Sequence, residues 1–396
     1  MKILLIGEYS NVHWTLAEGL RDLGHEVTVV SDGDRWKNYP RDIDLRRRGL
    51  DSSSRVQRLT GSIRYLFDLA HIWPQLRGYD VVQIINPIFV DLKAERLWPL
   101  YRYLRRHNGL MILGAFGIDY YWVKVGSDCK TFRYSDFNFG GELRHYPFAD
   151  EMTRDWLHGP KGDLNRRIAE DCDGIATGLY EYEMCYRPFF PDKTRFIPFP
   201  INRNSITPAD TLHASSSTLN PQPSALNFFL GIQRSRSAYK GTDLMHTALL
   251  RLQRDFGPER VCIQIAENVP FAQYQQMMNS SHVILDQLYS YTPAMNALLA
   301  MAKGLIVVGG GEPEHYELLG EHELRPIINV QPTEQDVYDQ IADRLLSGKE
   351  DIHQLQLDSI EYIRRHHDHI LVARKYLDFY NSLKASRQAP LPPADV

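Results

Sequence analysis

Short apolar runs, each followed by a stretch of helical periodicity, recur along the whole chain. The first, Ile3-Leu4-Leu5-Ile6, is apolar at every position, as a strand covered on both faces must be. After it, Leu16, Leu20 and Leu23 fall on one stripe of a helix starting near Val12, and Gly24 stands where that helix closes. Residues 27–30 resume a β-branched strand, and further runs lie at 81–85, 110–113, 174–177 and 195–197. Strands that alternate with helices pack as a parallel sheet wound on both faces.

Pro198-Phe199-Pro200 then breaks the pattern and opens a segment, 201–224, with three more prolines and the run Ser215-Ser216-Ser217. Such composition reads as a domain linker. The pattern restarts at 226–230, 261–265, 283–285, 305–308 and 327–330. The expected fold is therefore α/β, with two doubly wound Rossmann-like domains at residues 1–200 and 201–365. A last strong helix, near 352–383, is interrupted by His366-His367-Asp368-His369, and 385–396, with Pro390, Pro392 and Pro393, reads as a flexible tail.

Composition narrows the function classes. With 45 Lys+Arg against 49 Asp+Glu, the net charge of −4 argues against nucleic acid as a partner. Hydrophobic residues at 43% exclude a disordered chain. Cys129, Cys172, Cys185 and Cys262 form no C-x-x-C pair, so a reducing cytoplasm is the default and no structural zinc is expected. The opening apolar run is too short for a signal peptide and ends at Glu8. No apolar stretch approaches the roughly 18 residues of a membrane span.

Ligands of such folds bind beyond the carboxyl ends of the strands, so two facing edges make a cleft for two substrates. Gly231 ends the first strand of the second half, and Arg234 and Lys240 follow on a turn that leads into a helix. A guanidinium fork and a point charge beside a helix start suit a diphosphate; solvated surface cations are the alternative. In the stretch 291–304, Thr292 is placed as an N-cap, Pro293 at the first helical position, and free amides near Ala294 and Met295 would hold a phosphate. In the first half, Gly7, Asn11 and His13 follow strand 3–6, and Gly117 and Asp119 follow strand 110–113. A helix-capping histidine and an N-cap aspartate are the plainer readings of His13 and Asp119.

The order strand, Arg-x5-Lys-Gly, the loop Glu267-Asn268-Val269-Pro270, and a strand leading into an A-M-A-x-G helix resembles the GT-B fold of retaining glycosyltransferases, most closely family four. The opening strand and loop with Gly24-His25-Glu26-Val27 and the closing helix are similar too, so the resemblance covers nearly the whole chain. It implies that Arg234 and Lys240 hold the donor diphosphate and that Val269 lies in the base-contacting loop. Gly7, Gly231, Tyr291, Thr292, Pro293, Ala294 and Met295 would also line the donor site. Asn11, His13 and Gly117 would line the acceptor site, with Asp119 at the acceptor hydroxyl. It further implies that residues 366–384 cross back to the first domain. The co-substrate would be a nucleotide-diphosphate sugar, with no cofactor and no metal.

One departure stands out. The family's Glu-x7-Glu carboxylates, which hold donor hydroxyls, are replaced here by Tyr291 and Leu299. Glu314 or Glu312 in the next loop is the candidate substitute; two solvated acids are the alternative. Asp42-x-Asp44 and Asp171-x-Asp173 do not follow buried strands as a metal–diphosphate site requires, and the histidine cluster lacks a converging fourth ligand. No G-x-G-x-x-G follows the first strand, which weighs against a dinucleotide oxidoreductase. Residues 35–64 are locally basic and, with Tyr65-Leu66-Phe67 and Ile72-Trp73, would suit an inner membrane face bearing a lipid-linked acceptor; a solvated loop is the alternative. The expected activity is metal-independent transfer of a sugar to an acceptor hydroxyl, with retention, in glycan or envelope polysaccharide synthesis. An inactive nucleotide-sugar or glycan binder and a nucleotide-sugar epimerase are the alternatives.

Overall fold

The computed structural model describes residues 1–208, 225–267 and 269–388. Most of the expected linker (209–224), Asn268 of the base loop and tail residues 389–396 lie outside the described residues. Residues 385–388, assigned to the tail above, instead continue the last helix, His369–Gln388.

The first sheet contains β1 (Lys2–Ile6), β2 (Glu26–Ser31), β3 (Ile43–Asp44), β4 (Val81–Ile84), β5 (Leu110–Ala115), and, beyond the hairpin strands β6 (Asn138–Phe139) and β7 (Glu142–Leu143), β8 (Gly174–Thr177) and β9 (Thr194–Phe196). Its order is β3-β2-β1-β4-β5-β8-β9, parallel throughout. The second sheet holds β10 (Leu226–Ile232), β11 (Val261–Glu267), β12 (Val283–Leu285), β13 (Ile306–Gly309) and β14 (Ile328–Asn329). It too is parallel, in the order β11-β10-β12-β13-β14. Central strands are buried throughout Ile3 to Ile6 and Val81 to Ile84, which is why apolar residues dominate them, Gln83 being the polar exception.

Helices cover both sheets, beginning with α1 (Val12–Asp22) and α2 (Arg55–Ile72). The last helix lies against α1, where a Cβ on Gly19 would run into the carbonyl of His369. Its Tyr380 hydroxyl donates to Gln83 Oε1 on β4 at 2.9 Å. The membrane-facing residues expected from the sequence divide. Tyr65 and Trp73 are buried in the core, with Trp73 stacked on Phe89 at 6.0 Å, whereas Leu66 and Phe67 point outward. Helical periodicity places Tyr65 and Phe67 on opposite sides of α2. Among the described residues no helix is long and apolar enough to cross a membrane.

The chain passes between the sheets twice, near 197–203 and 366–369, and the two passages are bonded together. Ile201 N–H donates to His367 O at 2.6 Å and His369 N–H to Ile201 O at 3.0 Å. The Arg203–Asp368 ion pair (3.0 Å) and a bond of His367 Nδ1 to Phe199 O (2.8 Å) join them further. Within the histidine cluster His366 Nε2 lies on Glu321 at 2.7 Å, while the buried His367 Nε2 has no hydrogen-bond partner among the described residues.

Candidate functional site

The carboxyl edges of β1, β5, β10 and β12 face one cleft. On the first wall Gly7 has φ +86, and a Cβ there would collide with Ile85, so only glycine lets the loop turn off β1 at this point. Asn11 is also left-handed at φ 69 and gives no side-chain cap; its Nδ2 donates to Thr15 Oγ1 at 3.2 Å. The cap comes from buried Glu8, whose carboxylate accepts from Trp14 N at 2.9 Å and His13 N at 3.3 Å. Burial outweighs those bonds and pushes the Glu8 carboxyl up to about 8.

His13 does not open on the cleft. It is buried, with Nδ1 on Gly7 O at 2.8 Å and Nε2 3.1 Å from Gln83 Nε2. A carbonyl only accepts, so Nδ1 carries the proton and Nε2 accepts from the amide. Burial pulls its pKa down to about 3. Gly117, at φ +102, donates its N–H to Tyr182 OH at 2.7 Å. Asp119 is fully buried as the N-cap of helix Tyr120–Gly126: Oδ1 accepts from Trp122 N at 2.9 Å and Oδ2 from Tyr186 OH at 2.6 Å. Burial raises its carboxyl to about 6.

The second wall carries the charge. Arg234 is exposed and ion-paired with Glu267 at the end of β11. A Cβ on Gly231 would stand 3.0 Å from the Tyr274 ring. Lys240 is half-buried and ends the single helical turn Ser237–Lys240. Burial lowers its pKa; the Asp286 carboxylate opposes this, while Arg236 and, from the first wall, Lys37 add to it. Below it, Tyr274 OH donates to Asn296 Oδ1 at 3.0 Å and Asn296 Nδ2 to Asp286 Oδ1 at 3.3 Å. Val269 is half-buried at the rim.

The helix at the β12 edge differs from expectation. It runs Met295–Ala302 with Ala294 as N-cap and no side-chain cap, so Thr292 does not cap it and Pro293 is not its first residue. The reason lies across the cleft. Buried Glu181, on helix Tyr180–Tyr186 of the first wall, accepts from Tyr291 N (2.6 Å), Thr292 N (3.2 Å) and Ser290 Oγ (2.8 Å). Thr292 Oγ1 also accepts from Tyr180 N at 3.2 Å. These bonds hold 290–293 out of the helix. Ala294 and half-buried Met295 still present the helix start, since its first internal bond is Leu298 N–H to Ala294 O.

Tyr291 and Glu314 are likewise engaged. Arg133 donates its N–H to Tyr291 OH at 2.8 Å, lies 4.9 Å over that ring, and pairs with Glu314 and with Glu312 (2.7 Å). Tyr134 OH donates to Glu312 Oε1 at 2.5 Å. The whole segment 127–146 crosses the cleft. Arg144 stacks 3.2 Å over Tyr289 and donates to Ala238 O, and Phe139 meets Tyr289 edge-on at 6.4 Å. Buried Asp136 takes the indole N–H of Trp122 at 3.1 Å and bonds Tyr239 of the second wall; burial raises it to about 7. Sequence reasoning missed this strap, Glu181, Asp286, Asn296 and Tyr274. Only Gly140-Gly141, both left-handed at the β6–β7 turn, carried a readable hairpin signal.

Two facing parallel sheets, a cleft at their carboxyl edges and a last helix returning to the first sheet decide the architecture. The chain has the GT-B fold. Sucrose-phosphate synthase from Thermosynechococcus elongatus superposes at a TM-score of 0.61 and 13% identity, covering 98% of this chain and 100% of that one. Anabaena Alr3699/HepE, solved with UDP and glucose, gives 0.56 and 12% over 96% and 100%. The UDP-GlcNAc 2-epimerase of Neisseria meningitidis, bound to UDP-GlcNAc, gives 0.52 and 11% over 96% and 100%. No protein-family model and no curated protein matches the chain by sequence. At these identities the likeness is one of fold, and GT-B scaffolds carry more than one chemistry.

Proposed function

We propose that the chain is a glycosyltransferase that moves a sugar from a nucleotide-diphosphate donor to an acceptor hydroxyl, with retention. The carrying observation is Lys240, half-buried at the GT-B cleft with the charges of Arg236 and Lys37 beside it and Asp286 opposite. Positive groups converging from both walls are what a departing diphosphate needs. Arg234 joins them once it leaves Glu267, and the amides at Ala294 and Met295 add the helix start. With leaving-group charge met this way, the reading assigns no metal and no cofactor. The diphosphate oxygen takes the acceptor proton as the new glycosidic bond forms. Asp119, with both oxygens engaged, shapes the loop near Gly117, while Gly7, Asn11 and His13 shape the acceptor wall. The acceptor is a glycan or lipid-linked sugar met in the cytoplasm at a membrane face. Lys240→Ala should abolish both transfer and donor hydrolysis with circular dichroism unchanged; undiminished turnover would sink the assignment.

A second reading, a nucleotide-sugar binder without turnover, is favoured by one observation: Tyr291 and Leu299 replace the donor-holding acids while Glu181 takes the amides of Tyr291 and Thr292. Calorimetry against a nucleotide-sugar panel, run beside a turnover assay, separates the two. Product released with no acceptor present would instead favour an epimerase.

A further inference from the structure

The outer face of α2 is apolar and uncovered. Val56 (69%), Leu59 (62%), Ile63 (59%), Leu66 (43%) and Phe67 (71%) are among the most exposed large hydrophobic side chains described. At 3.6 residues per turn they form one stripe roughly 100° wide, away from buried Tyr65 and Leu69. Exposed apolar positions scattered singly need no explanation, but a contiguous helical stripe does. It continues past the helix: Leu50 is exposed in the loop before it, and Arg47 ties that loop to α2 through Ser62 Oγ at 2.8 Å.

The rim around the stripe is cationic. Residues 46–68 hold six arginines against two aspartates, in a chain whose net charge is −4. Arg55 and Arg64 flank the stripe on its two sides, and Arg48 is exposed in the adjoining loop. Asp68 pairs loosely with Arg64 at 3.9 Å. A second copy docked by a two-fold through this stripe would bring arginine rims together, which like-charge repulsion opposes.

We propose that α2 lies in the interfacial layer of an anionic lipid bilayer, its stripe among the acyl chains and Arg48, Arg55 and Arg64 against the lipid phosphates. An amphipathic helix with a cationic border fits that surface on both counts. The proposal extends the membrane part of the proposed function, yet vesicle binding needs no turnover, so the two fail separately.

The test is co-sedimentation of the purified full chain with vesicles of equal parts phosphatidylcholine and phosphatidylglycerol, against pure phosphatidylcholine. Binding to the anionic vesicles should exceed neutral binding at least tenfold and fall with salt. Leu59→Glu with Phe67→Glu should cut it more than about tenfold without changing the unfolding midpoint, because both positions are solvated. Each of Arg48→Gln, Arg55→Gln and Arg64→Gln should weaken it about fivefold. A Phe67→Trp probe should shift its emission to the blue on anionic vesicles. The proposal is overturned if the wild type stays in the supernatant or if the double-glutamate variant pellets equally. A dimer seen by light scattering that the same variant dissolves would overturn it too.

Discussion

At the scale of single residues, Asp119 shows how burial assigns a role. A carboxylate after a strand at a cleft edge suggests a base, but its two oxygens hold Trp122 N and Tyr186 OH. Asp119→Ala should therefore lower stability by about 2–4 kcal/mol in urea unfolding, from a lost cap and an orphaned buried hydroxyl. Asp119→Asn keeps an acceptor for the cap and should retain most stability and turnover. A general base would lose roughly 100-fold or more on that change, so the pair of variants separates the two roles. His13 follows the same logic: its ring links Gly7 O to Gln83 and, through it, to Tyr380.

At the scale of elements, the strap 127–146 is held by pairs that span the cleft. Arg133 is half-exposed and Glu312 is buried, with Tyr134 and Gln331 as further partners of the acid. A double-mutant cycle on Arg133→Ala and Glu312→Gln should give a coupling of about 1 kcal/mol or less, as for other solvent-screened pairs. Arg133→Ala alone should speed proteolysis within 127–146, read as the rate of first cleavage. The strands were legible because burial on both faces leaves unbroken apolar runs in β1, β12 and β13, and β4, β10 and the edge strand β11 stay apolar apart from single polar residues such as Gln83, Asn227 and Gln264. The two-residue β3, β6 and β7 carry no such run. Arg234 and Lys240 were legible at the cleft edge because position after a buried strand sets location. The true start of helix Met295–Ala302 was not, because Glu181, far away in sequence, captures the amides that Thr292 would have joined. The strap escaped for the same reason: its partners are tertiary, and only Gly140-Gly141 marks it locally.

At the scale of the whole molecule, buried acids and histidines set an asymmetric pH response. Folding raises Glu8 from 4.5 to about 8 and Asp136 from 3.8 to about 7. An acid that holds its proton more tightly when folded costs stability as pH climbs between the two values. His13, His315 and His367 fall from 6.5 to about 3, so their burial costs stability as pH drops below 6.5. At pH 6.5 these histidines are still half protonated in the unfolded chain, and losing that charge above pH 6.5 offsets part of the cost from Glu8 and Asp136. Stability should then decline by about 1 kcal/mol from pH 6.5 to pH 8, seen as a falling thermal midpoint. Glu8→Gln should flatten that decline.

The bonded pair of chain passages at Ile201 and His367–His369 has a mechanical meaning. Two separate crossings would let the halves slide and splay; two crossings fastened side by side act as a door pivot. Any opening of the cleft would then turn about that one line, with the pivot itself keeping its length. Fluorophores placed across the cleft mouth should change separation when Arg133→Ala loosens the strap, and a pair beside Arg203 and Asp368 should not.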